Sequence, residues 1–291
     1  MPKAVKVEST ALTKAKPKIV VPSTGFGSLI KPMEVLDETI KAAIYGRSGS
    51  GKTTLWSTFP TPTLVLLSSG PNGTNELKSI SKSRREEMMY IELTKADQVS
   101  EACQFVRANK TFKTVVMENV TGLQDLVMCE ILGIPKMPEQ LSFGFTTREK
   151  WQHCAEKTKE LMRLLLSLPT NMLMIAQERE FKQTEDGGLS ASPYIGAALS
   201  PSSAGWLHSN FDFLFQTGIR PKVKVTITDM AGEKVRTEEV TDEPEFFLRV
   251  GPHPVFFSKI RAPLEASGKI PPVIVNPTYE KIRAVIDGVK Q

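Results

Sequence analysis

Residues Gly46-Arg47-Ser48-Gly49-Ser50-Gly51-Lys52-Thr53 fit the pattern G-x-x-x-x-G-K-[ST] throughout, the signature of a loop that cradles phosphates. Its glycines let backbone N–H groups turn inward with no Cβ in the way. Lys52, on a loop expected to face solvent, supplies a point charge for the β- and γ-phosphates, and Thr53 a hydroxyl for Mg²⁺. Thr54 follows, so Gly46, Arg47, Ser48, Gly49, Ser50, Gly51, Lys52, Thr53 and Thr54 are the expected contacts of ATP. A second acid belongs at the end of a nearby apolar strand, where it can hold Mg²⁺. Glu118, in VVMEN (Val115–Asn119), stands there, in the position Asp usually takes. Gln177 ends another apolar run, NMLMIAQ (Asn171–Gln177). A polar group at a carboxyl strand end is placed to feel the γ-phosphate. The residues alone leave that role open against a plain strand end.

These side chains need strands and helices to hold them. Ile40–Tyr45 reads as a short buried strand broken by Gly46, with a helix from near Gly51 to before Pro60. Thr63–Ser69, Met88–Leu93, Lys113–Asn119 and Asn171–Gln177 read as further strands. Helices are expected at Ala96–Ala108 and where Trp151, Cys154, Thr158, Leu161, Met162 and Leu165 recur at i+3/i+4 spacing before Pro169. The turn-rich GPNGTN leads into a short polar helix. Strands alternating with helices predict an α/β fold, a mostly parallel sheet with helices on both faces. Past Gln177 the texture changes. Glu178–Gly205 reads as a long polar loop, of the kind that is functional or mobile. Lys222–Asp229 and Glu233–Val240 flank a Met-Ala-Gly turn as a C-terminal β-hairpin. Short strands at Phe246–Val250 and Val255–Lys259 and a helix over Thr278–Val289 complete the chain.

Composition narrows the class. The 291 residues are 40% hydrophobic and 24% charged, ordinary for a globular protein. No run approaches the roughly 18 apolar residues of a membrane span, and no apolar h-region follows the N-terminal lysines. No membrane partner is therefore expected. Cys103, Cys129 and Cys154 lack paired spacing and sit in apolar patterns, which reads as buried thiols in a reducing cytoplasm. The three histidines show no metal-ligand spacing. Of the net charge of +5, residues 1–36 hold +4, with six lysines against Glu8 and Glu34. The division expected is a basic, disordered tail over 1–36 and one nucleotide-binding domain over 37–291. The tail either adds sequence-independent attraction to nucleic acid or aids solubility. Phe26 in TGFGSL is a candidate plug for a neighbouring subunit or a core contact.

The order of GRSGSGKTT, VVMENVTGL, MLMIAQERE, a long loop and FFSKIRAP resembles the RecA-like recombinase core. It looks closest to the phage nucleotide-binding family of small RecA-like ATPases linked to single-strand annealing. The likeness spans roughly Thr39–Pro263. It implies a RecA-like P-loop NTPase core that binds ATP and Mg²⁺, oligomerises as a ring or filament on single-stranded DNA, and acts in the cytoplasm of a bacterial host. By resemblance Glu118 replaces the Mg²⁺-holding Asp, and Gln177 reports the γ-phosphate to a DNA loop. Gly133–Thr147 and Glu178–Gly205 would be the two DNA loops. Lys259 and Arg261 match a pair that reaches the nucleotide of a neighbouring subunit. Two departures stand out. LLSSG places Ser68 and Ser69 where a water-polarising carboxylate is expected; Glu76, a few residues on, either swings in to supply it or lies on the surface of a polar helix. The second loop is net acidic, leaving its neutral backbone, Lys136, Arg148 and Lys150, or the tail to attract phosphate. The rival readings are a nucleotide switch or scaffold with little hydrolysis, and a DNA-translocating motor.

Overall fold

The computed structural model of the protein describes residues 39–68, 70–138, 145–181, 193–230, 233–263, 266 and 268–288, apart from the side chains of 70–72 and 225–238. The basic stretch 1–36, with Phe26, lies outside the described residues.

The chain enters through β1 (Lys41–Gly46), buried from Ala42 onward. The phosphate loop leads to α1 (Lys52–Trp56), with Gly51 at its N-cap at φ 84°. Next comes β2 (Thr63–Leu67), fully buried as an apolar run covered on both faces must be. A 3-10 helix (Gly70–Ser79) and α2 (Lys82–Arg85) then reach β3 (Met88–Glu92). Helix α3 (Gln98–Asn109), β4 (Thr114–Glu118) and α4 (Val120–Leu132) follow. Then come α5 (Arg148–Leu166), β5 (Asn171–Phe181), β6 (Tyr194–Ala197) and α6 (Pro201–Asn210). The last third holds β7 (Phe213–Met230), β8 (Glu233–Arg249), β9 (Lys259–Ile260), β10 (Val273–Val275) and α7 (Tyr279–Ile286).

The strands form one sheet in the order β10-β8-β7-β1-β5-β4-β2-β3, with β6 paired to β5 and β9 to β7. From β7 across to β3 every neighbour is parallel, while β8 and β10 are antiparallel. One face is covered by α3 to α6 around Val99, Leu123, Leu161 and Leu207. The other packs Leu55, Trp56, Phe59 and Ile282. The expected α/β architecture, with helices on both faces, is therefore the observed one. Among the described residues no helix is long and apolar enough to cross a membrane. All three cysteines are free.

Five elements differ from expectation, β10 (Val273–Val275) among them, which no strand reading anticipated. Helix α4 was not anticipated, because apolar residues lie all round it and no single stripe marks it. The Asn119 side chain accepts from Gly122 N at 2.7 Å to start it, and Gly133 at φ 66° ends it. The stretch Glu178–Gly205, expected as a loop, holds regular structure among its described residues: β5 runs on to Phe181, β6 returns along it, and α6 starts at Pro201. The four residues of β6 are too few to show a period, and α6 packs through small Ser203 and Ala204 as well as Leu207. Residues 182–192 of that stretch lie outside the described residues. The hairpin reaches from Gln216↔Arg249 to Met230↔Glu233, absorbing the short strand expected at Phe246–Val250. Only Lys259–Ile260 and a bridge at Phe256 pair within the region of Val255–Lys259.

Candidate functional site

Strand order decides what meets at the site. β5 lies between β1 and β4, so Gln177 stands beside Gly46 in register, and Glu118 lies beside Ile175 on the other side. Three chemically active strand ends thus open onto one edge of the sheet, where ligands of parallel sheets bind. A pocket of about 300 Å³ there is lined by Ser48, Lys52, Thr53, Glu76, Glu118 and Gln177, among others. The predicted cradle, acid and glutamine are therefore brought together.

Gly46 and Gly51 are required for different reasons. A Cβ on Gly46 would lie 2.3 Å from Thr217 Oγ1 and 2.7 Å from Thr217 O, so only glycine lets β7 approach the loop. Gly51 carries φ 84°, a left-handed backbone that side chains disfavour. Ser50 Oγ is 2.7 Å from Thr217 Oγ1, tying the loop to β7. Arg47 Nε donates to Glu178 Oε1 at 2.7 Å, tying the loop to β5 just past Gln177. Lys52 is not solvent-facing as expected: it is 8% exposed, and its Nζ donates to Gly46 O at 2.9 Å and Arg47 O at 2.8 Å. Those loop carbonyls hold the ammonium in place. Burial lowers its pKa, while Glu118, Glu76 and Glu178 oppose that shift.

Glu118 is 3% exposed and accepts a hydrogen bond from Trp56 Nε1 at 2.7 Å. Burial pushes its carboxyl up to about 8; the charge of Glu76 adds to the rise, and the Trp56 bond and Lys52 restrain it. Glu76 takes the inward of its two expected places. The 3-10 helix turns it into the pocket that Glu118 also lines. Its Oε2 is buried and lacks a hydrogen-bond partner. Ser68 is closed off from the role expected at its position, because its hydroxyl donates to Asn119 O at 2.5 Å. That bond and the close approach of Gly122 to Ser68 clamp the start of α4 against β2.

The donor set fits Mg²⁺. The Glu118 carboxyl and the Thr53 hydroxyl share one pocket, beside an orphaned carboxylate oxygen of Glu76, and hard oxygen ligands are what that ion takes. Among the described residues no cluster of three or more His, Cys, Asp or Glu offers another metal site.

Lys259 and Arg261 are not brought to this pocket within the chain. Register pairs Lys259 with Leu214 and Leu214 with Ala43, three residues short of Gly46. Lys259 Nζ donates to His208 O and Ser209 O at 3.0 and 3.3 Å, at the end of α6, and Arg261 pairs with Asp212 at 2.7 Å.

A separate groove of about 680 Å³ opens beside the last residues of β5, between α5 and the start of α6. Arg148, Trp151, Arg179, Ser200 and Ser202 line it. Arg163 lies 5.4 Å over the Trp206 ring nearby, and Lys159 Nζ donates to Ser202 Oγ at 2.6 Å. Sequence reasoning singled out Arg148 but missed Trp151 as a groove residue, since its spacing marked it only as helix core. It also missed Trp56, whose apolar position gave no sign of the buried acceptor it serves.

The family described as AAA domain matches residues 38–262, or 225 of the 291 residues. A comparison with curated proteins gave no match.

Proposed function

We propose, from the premise that the chain belongs to the AAA domain family, that it is a RecA-like ATPase that assembles on single-stranded DNA and promotes annealing or recombination. One observation carries the reading. Gln177 lines the nucleotide pocket and Arg179 the basic groove, two residues apart on the same strand. Alternate strand residues share a face and lie about 7 Å apart. A displacement of Gln177 by a γ-phosphate is therefore carried into the groove by the backbone itself.

The groove suits a single strand. Arg148 and Arg179 offer charge to phosphates, and Trp151 offers an aromatic face to unpaired bases, the combination that single-strand grooves use. At the pocket the loop amides and Lys52 bind the phosphates, and Glu118 and Thr53 would hold Mg²⁺, which neutralises developing charge when bound. Glu76 is the carboxylate placed to orient the attacking water and take its proton. We assign Lys259 and Arg261 the part of cations presented to the γ-phosphate of an adjacent subunit, released from α6 and Asp212 on assembly.

The test is fluorescence anisotropy with labelled single- and double-stranded oligonucleotides across a salt series, with and without Mg·ATP. Single strands should bind more tightly with ATP present. Arg148→Ala with Arg179→Ala should lower the salt slope by about two counterions. An unchanged slope, or equal affinity for duplex, sinks the groove assignment.

A further inference from the structure

A second cavity, of about 230 Å³, lies beside the phosphate pocket and is lined in part by Thr54, Phe246, Asn276, Pro277 and Thr278. Gly51, Thr54 and Phe246 line both, so the two spaces join around the Phe246 ring. The ring lies directly over the loop peptide: a Cβ on Gly51 would stand 2.9 Å from Phe246 Cδ1. Phe246 is nevertheless 38% exposed, an aromatic face held open at the root of a charged hairpin. The opposite wall is fixed to it. Asn276 N donates to Phe246 O at 2.7 Å, and Lys281 Nζ donates to Val275 O and Asn276 O at 2.8 and 3.0 Å. Asn276 sits at φ 43°, a conformation that Asn tolerates better than other side chains with a Cβ.

We propose that this cavity takes the base of the nucleotide whose phosphates lie on residues 46–54, with Phe246 as its stacking face and the Asn276 amide reading its edge. The inference rests on the nucleotide reading above. A base is tethered to its phosphates by one ribose, so its site must adjoin the loop, as this cavity does along α1. The occupant is a flat ring because the wall is an aromatic face, and bases stack on such faces whatever their sequence. The amide offers one donor and one acceptor, which matches the paired N6–H and N7 of adenine. Guanine presents two acceptors there instead, so adenine is favoured.

The experiment is calorimetric titration of the full chain with the Mg²⁺ salts of ATP, GTP and inorganic tripolyphosphate. The wild type should bind ATP more tightly than either rival. Phe246→Ala should weaken ATP by about tenfold while leaving tripolyphosphate unchanged, and Phe246→Trp should retain ATP. Asn276→Gly, which keeps the positive φ without strain, should bring ATP and GTP together. Phe246→Ala weakening ATP and tripolyphosphate alike, or wild type binding the two equally, would place the base elsewhere and leave the phosphate loop standing. Binding of none of the three ligands to the wild type would instead bring down the nucleotide reading, and the base site with it.

Discussion

Removing the indole N–H of Trp56 tests the buried acid more sharply than removing the acid itself. Trp56 is fully buried and donates to Glu118 Oε2 at 2.7 Å. Trp56→Phe loses that bond and part of a ring in the core. Near pH 6.5 the Glu118 carboxyl, pushed up to about 8, carries its proton in the native state. The bond then joins neutral groups and contributes about 1 kcal/mol. Near pH 9 the carboxylate is ionised, and the same bond contributes about 2 kcal/mol. Packing loss, about 1 kcal/mol or more, is the same at both pH values. A double-mutant cycle of Trp56→Phe and Glu118→Leu, which leaves no acceptor, followed by urea denaturation without Mg²⁺ or nucleotide, isolates the pair. The coupling should roughly double from pH 6.5 to pH 9. Coupling below about 0.5 kcal/mol at both pH values, or a decline as pH rises, would refute the bond and the protonation scheme together.

Glu76→Gln should cut ATP turnover by about 100-fold or more while leaving ATP affinity nearly unchanged; normal turnover in a coupled phosphate-release assay would remove Glu76 from catalysis. Burial holds the His208 imidazole down at about 4, with Lys259 adding to the shift, whereas an unfolded histidine titrates near 6.5. The unfolded chain therefore takes up the proton first, and stability present above pH 6.5 is lost as pH falls through 4, by about 3 kcal/mol from this group. His208→Phe, which can keep the stack on Phe257 now at 3.9 Å, should flatten denaturation midpoints over that window. Mixing Lys52→Ala subunits with Lys259→Ala/Arg261→Ala subunits should restore partial ATPase activity, because some interfaces then join an intact cradle to intact cations. Co-assembled mixtures that stay inactive at every ratio would leave the pair as intrachain ties to α6 and Asp212.

The sheet was legible because its strands are strongly one-sided in composition. Val115–Met117 and Met172–Ala176 are apolar at every position, which only strands covered on both faces require. Helix α5 showed a stripe because polar residues alternate with Cys154, Leu161 and Leu165. Helix α4 had no such contrast. The region past Gln177 was misread because its pairing partners are distant or short. Tyr194–Ala197 becomes a strand only because β5 overshoots the sheet and offers it an edge.

The site divides the same way, between what spacing encodes and what only folding brings together. The phosphate loop is eight consecutive residues whose geometry is local, so its pattern is sufficient. Glu118 and Gln177 could be placed because a strand end is a local feature with a known direction. Glu76 could not. Its carboxylate is supplied by an irregular 3-10 turn following β2, and nothing in its spacing distinguishes an inward from an outward glutamate there. The search for an acid directly after the strand led to Ser68, yet the fold commits that hydroxyl to Asn119 O, where it braces the turn that carries Glu118. A carboxylate at residue 68 would have to displace that brace and meet the tight contact between Gly122 and Ser68. The Glu76 carboxylate reaches the pocket from the 3-10 helix further along, with one oxygen unpartnered. A serine at residue 68 fits how closely α4 packs against the end of β2.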